Sequence, residues 1–403
     1  MVLGFNIESA YRNLLVTLGF LLPLTVFGAN LIVVIICLLW LFSGDYKSKF
    51  LEIIESKLML ASILFFLLHL VGLFWTSDLV WGFHIVHKMW YFLLLFPILF
   101  TIVRKNDIKY YVIAFLAAMI FSQIMSYSVW FEFLPPFQSA TVDNPTPFMS
   151  HISYNPILAF SIYLVLHQLF FNKNLTKPIF FIGSFFAMVM IFNMFITGGR
   201  AGQVMFFAML AILSFQYFGY KKLHIFLLSF LLVPGIFFSA YQLSDKFNNR
   251  VDEGVSDLML MSVSRNTSIG QRVSFAINSW DMIQGNLLFG VGTGDFPMEY
   301  KRINELNLRN MPISSNTGNP HNMYILVLAQ LGFIGLASLI TIFYYQIKLS
   351  FNSQNKFIRD VGITLPLLML LIMLSDSYLL GHFTTLMYVF FSSFLYKNFE
   401  KLP

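Results

Sequence analysis

The stretch MYILVLAQLGFIGLASLITIFYYQI, residues 323–347, holds no Asp, Glu, Lys or Arg. About 20 mostly apolar residues cross a bilayer as a helix, so this segment reads as a membrane span. Asn319-Pro320-His321-Asn322 precedes it, and Lys348 follows it at once. Working outward, eleven further apolar runs lie between Leu14 and Leu395, giving about twelve spans. The run from Leu14 to Phe42 contains Pro23 and Asn30 and lacks a small-residue cleavage site, so it reads as two retained spans.

Composition agrees. Of 403 residues 58% are apolar and 11% charged, against roughly 25% charged in soluble domains. The only cysteine, Cys37, sits inside an apolar run, which leaves no intrachain disulfide and no cysteine metal site. The net charge of +6 comes from small basic groups between the runs and not from a stripe along one face. Nucleic acid is therefore not an expected partner.

Those basic groups fall in alternate loops: Arg12; Lys47, Lys49 and Lys57; Arg104, Lys105 and Lys109; Lys173 and Lys177; Lys221 and Lys222; Lys348, Lys356 and Arg359; Lys397 and Lys401. The positive-inside rule then puts both termini of this membrane protein in the cytoplasm. The expected class is all-α and polytopic. Residues 1–240 form the first nine spans, 241–320 a large, mostly polar external region, and 321–403 the last three spans. Within the polar region Gly270–Ile283 reads as an amphipathic helix with Val273, Ile277 and Trp280 on one face.

Several polar residues stand on the external side. Arg200 lies in Thr197-Gly198-Gly199-Arg200-Ala201-Gly202, between two spans. A fixed cation at a bilayer boundary is costly unless it pairs or faces a wet cavity. His321 is expected at the start of a helix, with Pro320 in its first turn, and its imidazole is a candidate base for a hydroxyl proton. Arg272 and Arg265 suit bidentate contact with phosphate oxygens, and Lys88 is a further phosphate candidate. Asp376, at the end of the eleventh span, is placed to orient His321 or to pair with an arginine. The competing structural readings are a snorkelling Arg200, an interfacial His321 and a plain helix-end Asp376. Gly290-Val291-Gly292-Thr293-Gly294-Asp295 lacks the strand and helix of a dinucleotide site and reads as turns. His84, His87, His151 and His382 have no zinc-like spacing, and no Asp-x-Asp pair occurs, so no metal and no cofactor are expected.

Four segments together resemble the O-antigen ligase family, within the wider group of O-antigen ligases and polymerases. They are Thr197–Gly202; Gly270-Gln271-Arg272 with the Trp280 helix and Gly290-Val291-Gly292; His321-Asn322 with Leu331-Gly332-Phe333-Ile334-Gly335-Leu336; and Leu374-Ser375-Asp376. Gln330 stands where many relatives carry an acid. The resemblance implies a GT-C-like, all-helical membrane glycosyltransferase. It implies transfer of O-antigen glycan from undecaprenyl diphosphate to a hydroxyl of lipid A–core, without metal and with inversion. On that reading Arg200 and Arg272 hold the donor diphosphate and His321 activates the acceptor, with Lys88, Arg265, Asn322 and Asp376 as substrate-binding candidates. A polysaccharide polymerase with the same donor, a protein O-oligosaccharyltransferase and a lipid-glycan flippase are the alternatives. A flippase would be expected to carry ionisable residues near the bilayer midplane.

Overall fold

The computed structural model describes residues 6–219, 234–235, 237–239, 241–242, 245–260, 268–307 and 316–399. Among these residues the regular structure is helical, with one isolated antiparallel bridge between Thr141 and Asn144. The helices are α1 (Ile7–Leu21), α2 (Val26–Phe42), α3 (Tyr46–Glu55), α4 (Lys57–Val71), α5 (Leu79–Trp90), α6 (Phe96–Ile102), α7 (Ile108–Trp130), α8 (His151–Phe171), α9 (Lys177–Ile196) and α10 (Arg200–Phe218). After them come α11 (Asp245–Leu260), α12 (Ser268–Gln284), α13 (Phe296–Asn307), α14 (Met323–Phe351), α15 (Lys356–Ile372) and α16 (His382–Leu395).

Among the described residues seven helical stretches are long and apolar enough to cross a membrane: Lys57–Trp75, Leu79–Ile102, Lys105–Trp130, His151–Phe171, Lys177–Ile196, Arg200–Phe218 and Met323–Phe351. The pair α2–α3, bent by 115°, makes an eighth if counted as one span. Helices α1, α15 and α16 have 15, 17 and 14 residues, short of a full crossing by length alone. The expected run Ile225–Ala240 and the candidate Arg265 lie outside the described residues, apart from isolated positions in the run.

Helix ends follow local chemistry. Thr25, just past Pro23, caps α2 through its hydroxyl, and Asn355 caps α15. Inside the bundle Phe391 of α16 packs edge-on to Phe115 of α7 and Phe160 of α8, both at 5.0 Å. Helices α8 and α10 touch so closely that a Cβ on Gly202 would lie 2.2 Å from the Asn155 Cβ. Small residues at such crossings let the backbones approach.

Two local expectations change. Helix α12 exists, but its stripe of Ile277 and Trp280 is exposed. The buried face carries Ser274, Phe275, Asn278 and Met282 instead. Asn278 decides this, because its Nδ2 donates to Tyr300 Oη and Asn304 Oδ1 of α13 and its Oδ1 accepts from Asn307. Buried amides with full partners outweigh the apolar pattern.

The second change concerns α14, which is broken at Gly332 (φ 63°, ψ −163°), a conformation essentially closed to residues with a side chain. The break leaves main-chain groups without their helical partners, which is costly away from water. The segment 287–292 supplies those partners. Val291 N and Gly292 N donate to the Ala329 and Gln330 carbonyls at 2.8 and 3.0 Å. Phe333 N donates to Leu287 O at 2.9 Å. The Gly290–Asp295 turns are thus a clasp rather than a phosphate loop, and their amides are already engaged: Thr293 N with Gly72 O, and Gly294 N with Thr76 Oγ1. Asp295 completes the clasp by accepting from Ser77 N and Asp78 N at the start of α5.

Candidate active site

Asn322 is the N-cap of α14, accepting from Tyr324 N and Ile325 N, while its Nδ2 donates to Leu374 O. Its amide therefore holds the helix start and ties it to the end of α15. Because Asn322 takes the cap, His321 and Pro320 sit before the helix and not in its first turn. His321 adopts φ 52°, a left-handed conformation uncommon without glycine.

That conformation brings His321 Nδ1 to 3.1 Å from Asp376 Oδ1. An ionised carboxylate only accepts, so Nδ1 carries the proton and Nε2 is the other face of the ring. Asn319 braces the pair. Its Oδ1 accepts from His321 N and Ser377 Oγ, and its Nδ2 donates to Asp376 Oδ1 at 3.2 Å. Burial raises the Asp376 carboxyl, but hydrogen bonds from His321, the Ser377 amide and Asn319 outweigh it and hold the group below the ordinary carboxylate value.

Phe275 of α12 stacks on the His321 ring, with centroids 5.9 Å apart and planes at 28°. Arg272 lies one turn earlier on α12, is exposed, and acts electrostatically on Tyr378, two residues beyond Asp376. Tyr378 in turn donates to Ile152 O in the first turn of α8.

The same turn of α8 carries the Arg200 loop. Asn155 accepts from Thr197 Oγ1 and donates to Gly199 O, at 2.9 and 3.3 Å. A Cβ on Gly199 would fall 2.7 Å from Asn155 Nδ2 and 2.9 Å from His151 O, so only glycine fits. Asn144, from the proline-rich connection, accepts from Gly198 N and meets His151 Nδ1 at 2.7 Å. Arg200 opens α10, and its Nη2 donates to Glu253 Oε2 of α11 at 2.6 Å.

His321 and Asp376 are thus in direct contact, and Arg272 stands three residues before the Phe275 that stacks on His321. Arg200 reaches the same end of the bundle through α8 and is paired with Glu253. Lys88 stands apart, electrostatically close to His84 and His382; the latter meets Tyr91 Oη at 2.6 Å where α5 gives way to a π-helical turn over Tyr91–Leu95. Among the described residues no three His, Cys, Asp or Glu side chains are grouped as a metal site. Asn319, Phe275, Asn155 and Glu253 were not singled out from sequence; the Asn-Pro-His-Asn cluster is the one signal that pointed toward Asn319.

Residues 185–340 match the O-antigen ligase family model. That match agrees with the resemblance carried by the sequence segments. No curated protein matches the chain. The O-antigen ligase match takes in Arg200, Arg272, Asn319, His321 and the break at Gly332, and it ends before Asp376. The histidine's partner therefore comes from beyond the matched segment.

Proposed function

We propose that the chain transfers O-antigen glycan from undecaprenyl diphosphate to a hydroxyl of lipid A–core at the periplasmic face of the inner membrane. The observation that carries this reading is the His321–Asp376 pair beneath Phe275, which lies one helical turn after Arg272 on α12. In this reaction His321 Nε2 takes the proton of the acceptor hydroxyl as its oxygen attacks the anomeric carbon. The bond from that carbon to the diphosphate oxygen breaks, and the configuration inverts. Charge develops on the leaving diphosphate, and Arg200 and Arg272 stabilise it, which makes the reaction metal-independent. Asp376 holds the imidazole in the required tautomer. Lys88, Arg265 and Asn322 are proposed as further substrate-binding residues.

The accompanying architecture is GT-C-like with about twelve spans, counting α2, the short helices α1, α15 and α16, and the apolar run Ile225–Ala240 as crossings. Both termini are then cytoplasmic, residues 241–320 periplasmic, and residues 1–240 and 321–403 the membrane parts.

Lipopolysaccharide gels of a deletion strain test the reading. A ligase loss leaves bare core and accumulated lipid-linked glycan, restored by the intact gene but not by His321→Ala or Arg200→Ala at matched protein level. Lipopolysaccharide bearing single repeats in the deletion strain would identify a polymerase instead. Normal smooth lipopolysaccharide from His321→Ala would remove the histidine from the mechanism.

A further inference from the structure

Helix α3 is neither a span nor a loop. It leaves the 17-residue apolar helix α2 at 115° through Gly44 and Asp45, both left-handed at φ 70° and 52°. The turn is locked. Lys49 Nζ donates to Trp40 O and Ser43 Oγ at the end of α2 and lies over the Trp40 and Tyr46 rings, at 4.9 and 5.6 Å.

At 3.6 residues per turn α3 has three faces. One faces protein: Ile53 is buried, and Glu52 pairs at 2.7 Å with Lys397, which also donates to Phe100 O and Thr101 O at the end of α6. A second face exposes Tyr46, Phe50, Leu51 and Ile54, with Lys47 among them. The third shows Ser48 and Glu55. The apolar face cannot meet lipid tails the way a spanning helix does, because α3 runs across the direction of α2. It continues from the exposed end of α2, where Leu41 and Phe42 stand open.

We infer that α3 is an in-plane interfacial helix docked on the lipid headgroup layer, on the membrane side that carries Lys47, Lys49 and Lys57. Tyr46, Phe50, Leu51 and Ile54 enter the headgroup–acyl boundary, about 5–10 Å deep. Lys47 snorkels from that face, and Ser48 and Glu55 look to water. Residues 45–57 balance three lysines against three acids, so apolar burial and not anionic lipid drives the docking. The inference does not depend on the enzymatic reading.

The test uses the full chain in lipid nanodiscs with Cys37→Ser and one fluorescent label at a time, at Phe50→Cys, Ile54→Cys or Ser48→Cys. Labels at 50 and 54 should be quenched by nitroxide lipids and lose quenching by aqueous iodide; a label at 48 should behave the opposite way. The pattern should be the same in phosphatidylcholine and phosphatidylglycerol discs. Hydroxyl-radical footprinting of the unsubstituted chain should find Phe50 protected in discs. Equal iodide access at 50 and 48 overturns the docking. Protection that vanishes at one copy per disc would make a second copy the occupant. Protection only in phosphatidylglycerol would overturn the apolar driving force.

Discussion

Asn319 contacts both halves of the pair that it sits beside: it accepts from the His321 main chain at 2.9 Å and donates to Asp376 at 3.2 Å. One amide side chain thereby fixes the ring's backbone and the carboxylate's direction together. Asn319→Ala should lower kcat with little change in acceptor KM, because the base stays present but loses its aim. The loss should stay below the about 10²–10⁴-fold expected for His321→Ala, since a positioned base contributes that much. Steady-state kinetics on both variants checks this; a pure KM effect would assign Asn319 to substrate binding.

Asp376 sets a pH limit. Its folded-state value is depressed, so the carboxylate contributes stability above the unfolded value near ~3.9 and loses it as pH falls through the folded value. Thermal melts should show the intact protein losing stability over that acid window. Asp376→Asn should start less stable and show a flatter acid limb.

The Arg200–Glu253 ion pair occupies the guanidinium that the proposed donor needs. Both side chains are partly exposed, at 34% and 53%, so the pair contributes only about 0–1 kcal/mol. Glu253→Gln should leave the melting temperature nearly unchanged and lower the donor KM by up to about fivefold, the equivalent of that energy. An unchanged KM would separate Arg200 from the diphosphate.

Gly332→Ala forces a side chain into φ 63°, ψ −163°, and its Cβ would lie 2.3 Å from the Leu288 carbonyl carbon. Strain alone costs about 1–3 kcal/mol, and the clash adds to it. The variant should melt well below the parent in detergent, whereas Gly285→Ala, whose Cβ would meet only Met282 O at 3.8 Å, should not.

The membrane character and the seven long apolar helices were legible because hydropathy runs are local signals, and Asp376 could be read as a partner of His321 because both are isolated polar residues at span ends. Two features were not. The break in α14 depends on partners some forty residues earlier, and a lone Gly332 in an apolar run carries no sign of them. The buried hydrogen-bond contact of His167 with Asp360, 3.0 Å apart, joins α8 to α15 across 193 positions, which no spacing rule connects. The side of α12 that docks was not legible, because the amide pairing of Asn278 is a tertiary preference that periodicity does not register.

The clasp at Gly332 also orders how the chain matures. The upper half of α14 cannot finish its main-chain bonding alone, since Ala329 and Gln330 take their donors from residues 291 and 292. Those residues must be seated before this bonding is complete, so α14 is finished only once the segment before it has docked.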